Sequence, residues 1–155
     1  MKYHLFFWIL LVGGPMVQAQ SVPQNPQYDA ALALKLKADA YGMKNYYLVI
    51  LKSGPDLSAT PDVVKTSFEG HMRNIQALVK AGKMVVAGPL AKNEKGYRGI
   101  FILNEVADEK EAEQLLMQDL AIKNGILAYD LYTWYGSAAL PEYLPISDKI
   151  WKQNP

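Results

Sequence analysis

The segment from Thr60 to Gly82 constrains the architecture more than any other part of the chain. Thr60 suits an N-cap, Pro61 suits the first helical position, and Asp62 complements the positive helix end. Lys80 and Gly82 close the far end. Between them Val64, Phe68, His71, Ile75 and Leu78 recur at spacings of 4, 3, 4 and 3, an apolar stripe on one helical face. A helix of this length with one apolar stripe needs an apolar surface to lie on, and His71 lies on that stripe.

The flanking segments supply the surface. Tyr46 to Lys52 is aromatic and branched and stops at the turn cluster Ser53-Gly54-Pro55-Asp56, which predicts a strand. Met84 to Ala87 predicts a second strand running into Gly88-Pro89, where a missing amide ends or interrupts a ladder. A polar turn from Asn93 to Gly96 leads to a third strand, Arg98 to Leu103. A second helix follows from its N-cap Asp108 through Leu115 and Leu116. Asp119 to Gly125 reads as a turn and Ile126 to Trp134 as a fourth strand. The order β-α-β-β-α-β predicts an α+β, ferredoxin-like fold, with a four-stranded antiparallel sheet and two helices on one face. The other face then needs cover. Gly136 to Pro155 offers Leu140, Tyr143, Leu144, Ile146, Ile150 and Trp151, either on its own subunit or across a dimer interface. Upstream, Tyr28 to Ala40 favours helix on intrinsic propensity, with Gly42 as its end, although Leu34-Lys35-Leu36-Lys37 also alternates like a strand.

The first residues differ from the rest. Lys2 and His4 precede an apolar run from Leu5 to Val17, and Val17-Gln18-Ala19 carries modest side chains where a signal peptidase reads. Broken by Gly13, Gly14 and Pro15, the run falls short of the roughly 20 apolar residues of a bilayer span. Residues 1–19 therefore read as a signal peptide, 20–45 as a partly helical extension, 46–135 as the core domain and 136–155 as a tail. Cleavage after Ala19 implies a periplasmic or secreted protein, with no membrane attachment afterwards. It removes Lys2 from sixteen bases that face fifteen acids, so the mature chain is formally neutral. No run of like charge suits a nucleic-acid backbone.

The 155 residues include no cysteine, which removes disulfides, thiolate nucleophiles and thiolate metal sites. Loss of His4 leaves His71 as the single histidine, so metal sites built on two or more imidazoles are excluded, while a carboxylate-bound cation stays open. Phosphate-loop, dinucleotide, zincin and nucleophile-elbow motifs are all absent. The sequence thus calls for neither cofactor nor metal. His71 is the side chain best matched to proton transfer near neutral pH; its plainer role is a half-buried imidazole bonded to a carbonyl. Arg98, at the start of a strand, is a candidate to hold an anionic substrate group or is simply solvated. Tyr46, Tyr47, Tyr129, Tyr132 and Trp134 either line an aromatic pocket or pack in the sheet and interface.

The run Tyr46-Tyr47-Leu48-Val49-Ile50-Leu51-Lys52 with Gly54-Pro55 resembles the opening of the YciI-like (YCII-related) family. So does the ordered set His71, Asn74, Leu78, Gly82-Lys83, Gly88-Pro89-Leu90, Gly99-Ile100-Phe101, Glu111-Ala112 and Asp119. The resemblance covers Tyr46 to Trp134, and the extension from Trp134 to Pro141 is similar to an exported subgroup. It implies a dimeric α/β-barrel subunit that pairs through its sheet, with an active site of a histidine and an aspartate, here His71 and Asp119. The family places proline after that aspartate, where this chain has Leu120. A carboxylate beside an imidazole orients the ring, fixes its tautomer and raises its basicity. Asp119 also suits an N-cap for Leu120 to Lys123.

Two functions follow as expectations. The first is a cofactor-independent enzyme, of lyase or isomerase type, with His71 as general base on a small aromatic or carbonyl-bearing molecule. Elimination of chloride from a chlorinated hydroxyquinol is chemistry of this kind within the family. The alternative is a non-catalytic ligand-binding or structural homodimeric module of the cell envelope.

Overall fold

The computed structural model describes residues 25–147 and 149–152. Its sheet is built around β1 (Met43–Ser53), the long strand that holds the aromatic and branched run. Alternation sends Tyr47, Val49 and Leu51 to one face and Tyr46 and Leu48 to the other. On one side β1 pairs antiparallel with β3 (Tyr97–Leu103), Val49 opposite Phe101. On the other it pairs antiparallel with β4 (Leu127–Ser137), Leu51 opposite Tyr129. The edge strand β2 (Met84–Pro89) pairs antiparallel with β3, giving the order β2-β3-β1-β4. This is the α+β architecture expected from the element order.

Beside it lie α1 (Ala30–Lys35), α2 (Pro61–Lys80), α3 (Glu109–Leu116), α4 (Leu120–Lys123) and α5 (Leu144–Ser147). Thr60 caps α2 by accepting the Val63 amide, and Asp108 caps α3 by accepting the Glu111 amide at 2.8 Å. Glu111 in turn accepts the Ala107 amide at 2.7 Å and pairs with Lys83, bonds that hold its carboxyl below the usual range. The core joins Val49, Leu51, Phe101, Leu103 and Leu127 of the sheet to Leu78, Ala112, Leu116 and Ile122 of the helices.

A second buried face of α2, carrying Ser67 and Gly70, meets α4. The Ser67 hydroxyl accepts from Asn124 at 2.9 Å. A Cβ on Gly70 would stand 2.7 Å from Leu120 Cβ, so glycine is what lets α4 approach this closely. The expected stripe is where the sequence put it, but this face was not, because its partner is a four-residue helix with no periodicity to read.

Several boundaries move. The helix expected over Tyr28 to Ala40 is only α1, capped by Asp29 and ended where Lys37 takes a left-handed φ of 57°. No residue of α1 is buried, so propensity had no packing to extend it. Lys37 and Lys44 instead tie this region to Glu105, and the Tyr135 hydroxyl donates to Asp39. β1 begins three residues before Tyr46 and β4 runs on to Ser137, because Met43 pairs with Ser137 and Asn45 with Tyr135. The segment expected to be a turn, Asp119 to Gly125, contains α4 with Asp119 as its N-cap.

The start of the tail lies on its own subunit. Leu140 and Leu144 pack against Tyr46, Val85 and Ile102 on the face away from α2, and the Tyr143 hydroxyl donates to the Val85 carbonyl. Ile146, Ile150 and Trp151 stay exposed. The expected signal peptide, residues 1–19, lies outside the described residues; among those described, no helix is long and apolar enough to cross a membrane.

Gly70→Ala is expected to lower stability by about 1–2 kcal/mol, as overpacking outweighs the helix propensity alanine gains. Urea denaturation of the variant beside wild type measures this.

Candidate active site

His71 lies midway along α2 on the stripe that faces the sheet, 8% exposed. Asp119 ends the connection from α3 and is fully buried, at 0% exposure. They are 48 residues apart in sequence, yet His71 Nδ1 stands 2.6 Å from Asp119 Oδ2. The close seat of α4 on Gly70 makes this distance possible, since Asp119 is the residue that opens α4. Leu120 occupies the first helical residue of α4 and supplies the side chain that Gly70 accommodates.

The other oxygen, Asp119 Oδ1, accepts the Ala121 amide at 2.9 Å. The two roles the sequence offered Asp119 are therefore one arrangement, with one oxygen capping α4 and the other holding the imidazole. A buried carboxylate needs such partners to offset its desolvation.

The imidazole is also held by rings. Phe68 meets it edge-on at 5.8 Å and 81°, and Phe101 stacks on it at 5.7 Å and 29°. Against an ionised carboxylate, which only accepts hydrogen bonds, Nδ1 is the donor, and in the tautomer that matches this geometry the lone pair lies on Nε2. That nitrogen is the one left for chemistry outside the pair.

Beside His71 a cavity of about 500 Å³ opens between α2 and the β2–β3 side of the sheet. α2 contributes Phe68, His71, Met72, Ile75 and Gln76. Leu51, Phe101 and Leu127 form part of the wall from the sheet, and Ala87, Pro89 and Gly99 are the small residues toward its edge. Arg98 also lines it and is solvent-exposed, which puts this side chain at the mouth. His71, Gln76 and Arg98 are the polar side chains of an otherwise apolar wall, in a cavity within the size range of small-molecule sites.

The structure thus brings His71, Asp119 and Arg98 to one region, the first and last on the cavity wall and Asp119 behind the ring. None of the five aromatics considered for a pocket lines this cavity. Tyr47 and Tyr129 pack on the helix-side core, while Tyr46 and Trp134 pack on each other at 5.5 Å across the opposite face. Gly88 and Pro89 both end β2 and border the cavity. Met72 and Gln76 were not singled out from the sequence; their place four and eight residues after Phe68 was the available signal. Among the described residues, no three His, Cys, Asp or Glu side chains cluster as a metal-holding group.

No protein-family model matches the chain, and no curated protein matches it. One similar solved structure is the 5-chloro-2-hydroxyhydroquinone dehydrochlorinase of Burkholderia phenoliruptrix AC1100 in complex with 2,5-dihydroxybenzoquinone. Its TM-score is 0.42 at 23% sequence identity, over 57% of this chain and 92% of that one.

Asp119→Ala is expected to shift the His71 ring away from the Nδ1–H tautomer, read from imidazole ¹⁵N shifts. The same variant should lose about 1–3 kcal/mol, from the missing cap and the stranded ring donor.

Proposed function

We propose that this chain is a cofactor-independent enzyme in which His71 is the general base and Asp119 its positioning partner. The observation that carries this reading is the division of the imidazole: Nδ1 is bonded to a buried carboxylate, while the ring borders a largely apolar cavity. In an elimination, Nε2 takes a proton from the bound molecule and the released electron pair expels a leaving group. In an isomerisation, the imidazolium returns the proton at another atom. After the elimination the imidazolium releases its proton to water, so that the leaving group departs as its anion, and either cycle is redox-neutral and regenerates the neutral ring. The ring clamp supports the assignment, because a base fixed between Phe68 and Phe101 needs no reorientation before it acts. The YciI-like family resemblance agrees with it.

The test is deuterium incorporation from D₂O, with halide release, across a panel of small enolisable aromatic ketones and halogenated hydroquinones. His71→Gln is expected to reduce turnover by about 100-fold or more with the fold retained. Undiminished turnover in that variant would overturn the assignment. The apolar wall also suits a ligand-binding module without catalysis, for which the panel would bind but not react and Asp119→Asn would leave affinity unchanged.

The reading extends to assembly and location. The tail covers one end of the sheet face opposite α2, while Ile50 and Ile100 are only part-buried there and Tyr132 is 52% exposed. A second copy of the chain placed on this region, after export and cleavage, would bury those side chains. Mature protein isolated from its cell envelope is then expected to begin at Gln20 by intact mass and to sediment as a dimer. A retained leader would refute cleavage, absence from the envelope would refute export, and a monomer at micromolar concentration would refute the pairing.

A further inference from the structure

The charge around the cavity narrows the class of molecule it takes. None of its lining side chains is Asp or Glu, and Arg98 is its one fixed charge. Among the described residues no carboxylate lies within ion-pair distance of Arg98. The backbone that carries Arg98 is fixed on both sides. Its carbonyl accepts the Leu90 amide at 2.9 Å. The Asn93 side chain bonds both the Tyr97 amide, at 3.1 Å, and the Tyr97 carbonyl, at 2.8 Å, fixing the turn that delivers β3 to the mouth.

We propose that this cavity takes an apolar, ring-sized molecule bearing one carboxylate, with the carboxylate at the mouth on Arg98 and the apolar body inside. A guanidinium matches a planar carboxylate with paired donors, and one without an internal counter-ion has no ion pair to give up on accepting it. The end at His71 suits the apolar body, because the rings of Phe68 and Phe101 flank the imidazole there and Arg98 is the only Lys or Arg in the lining. The inference rests on the cavity being a ligand site, as in the proposed function, and deepens it: held this way, the atoms distant from the carboxylate come to His71.

Phenylacetate and the uncharged phenylacetamide are the probes, titrated into the full chain and followed by amide and imidazole NMR shifts. Wild type is expected to bind the acid about tenfold more tightly than the amide, with the preference falling as salt is raised. Arg98→Gln, at an exposed position, should fold normally and bind both probes alike. His71→Asn should keep the preference for the acid, so a protein that binds without catalysing still answers the question. Three results overturn the inference: equal affinity for both probes in wild type, a preference that survives in Arg98→Gln, or no saturable shift of cavity resonances with either probe.

Discussion

The structure depends on a carboxylate with no contact with water. Burying Asp119 is costly unless both oxygens are engaged, and the fold meets that demand from two directions, a backbone amide of α4 and the imidazole of α2. The separation of α2 and α4 is therefore not free to vary. Gly70 removes the side chain that would hold them apart, the Ser67–Asn124 bond joins them further along, and Leu120 fills the space the glycine leaves. Chemistry and packing meet in the same few residues: the contact that seats α4 also aims the ring of His71.

What could be read from the sequence follows the range of the forces involved. Both ends of α2 were legible because capping is local, set by Thr60, Pro61 and Gly82 within a turn of the helix they bound. The four strands were legible because apolar alternation and turn residues are short-range signals. The face of α2 holding Ser67 and Gly70 was not, since glycine and serine there look like weak helix formers until the opposing helix is known. The length of α1 failed for the converse reason: Leu34-Lys35-Leu36-Lys37 has helical propensity but no surface to lie on.

The candidate site shows the same division. His71 stood out as an imidazole on an apolar stripe, and Asp119 was joined to it through family resemblance, because 48 residues of chain separate them. The cap and the ring partner looked like competing roles for Asp119 only while its two oxygens were treated as one group. Arg98 was visible as a strand-start arginine, but its missing counter-ion is a property of the assembled surface. The aromatic residues misled because ring content does not say which sheet face a side chain takes; a one-residue step along β1 separates Tyr46 from Tyr47 and puts them in different cores.

The position of Pro89 has a consequence for how long the cavity can stay open in a crowded solution. β2 is an outer strand, and an outer strand is a template on which a foreign strand can add itself. Such an addition here would wall off the cavity, whose border includes Ala87, Gly88 and Pro89. Proline has no amide hydrogen to offer an incoming chain, and β2 ends on it after six residues. The residue that shapes the border of the cavity thus also guards it against polymerisation along the sheet edge.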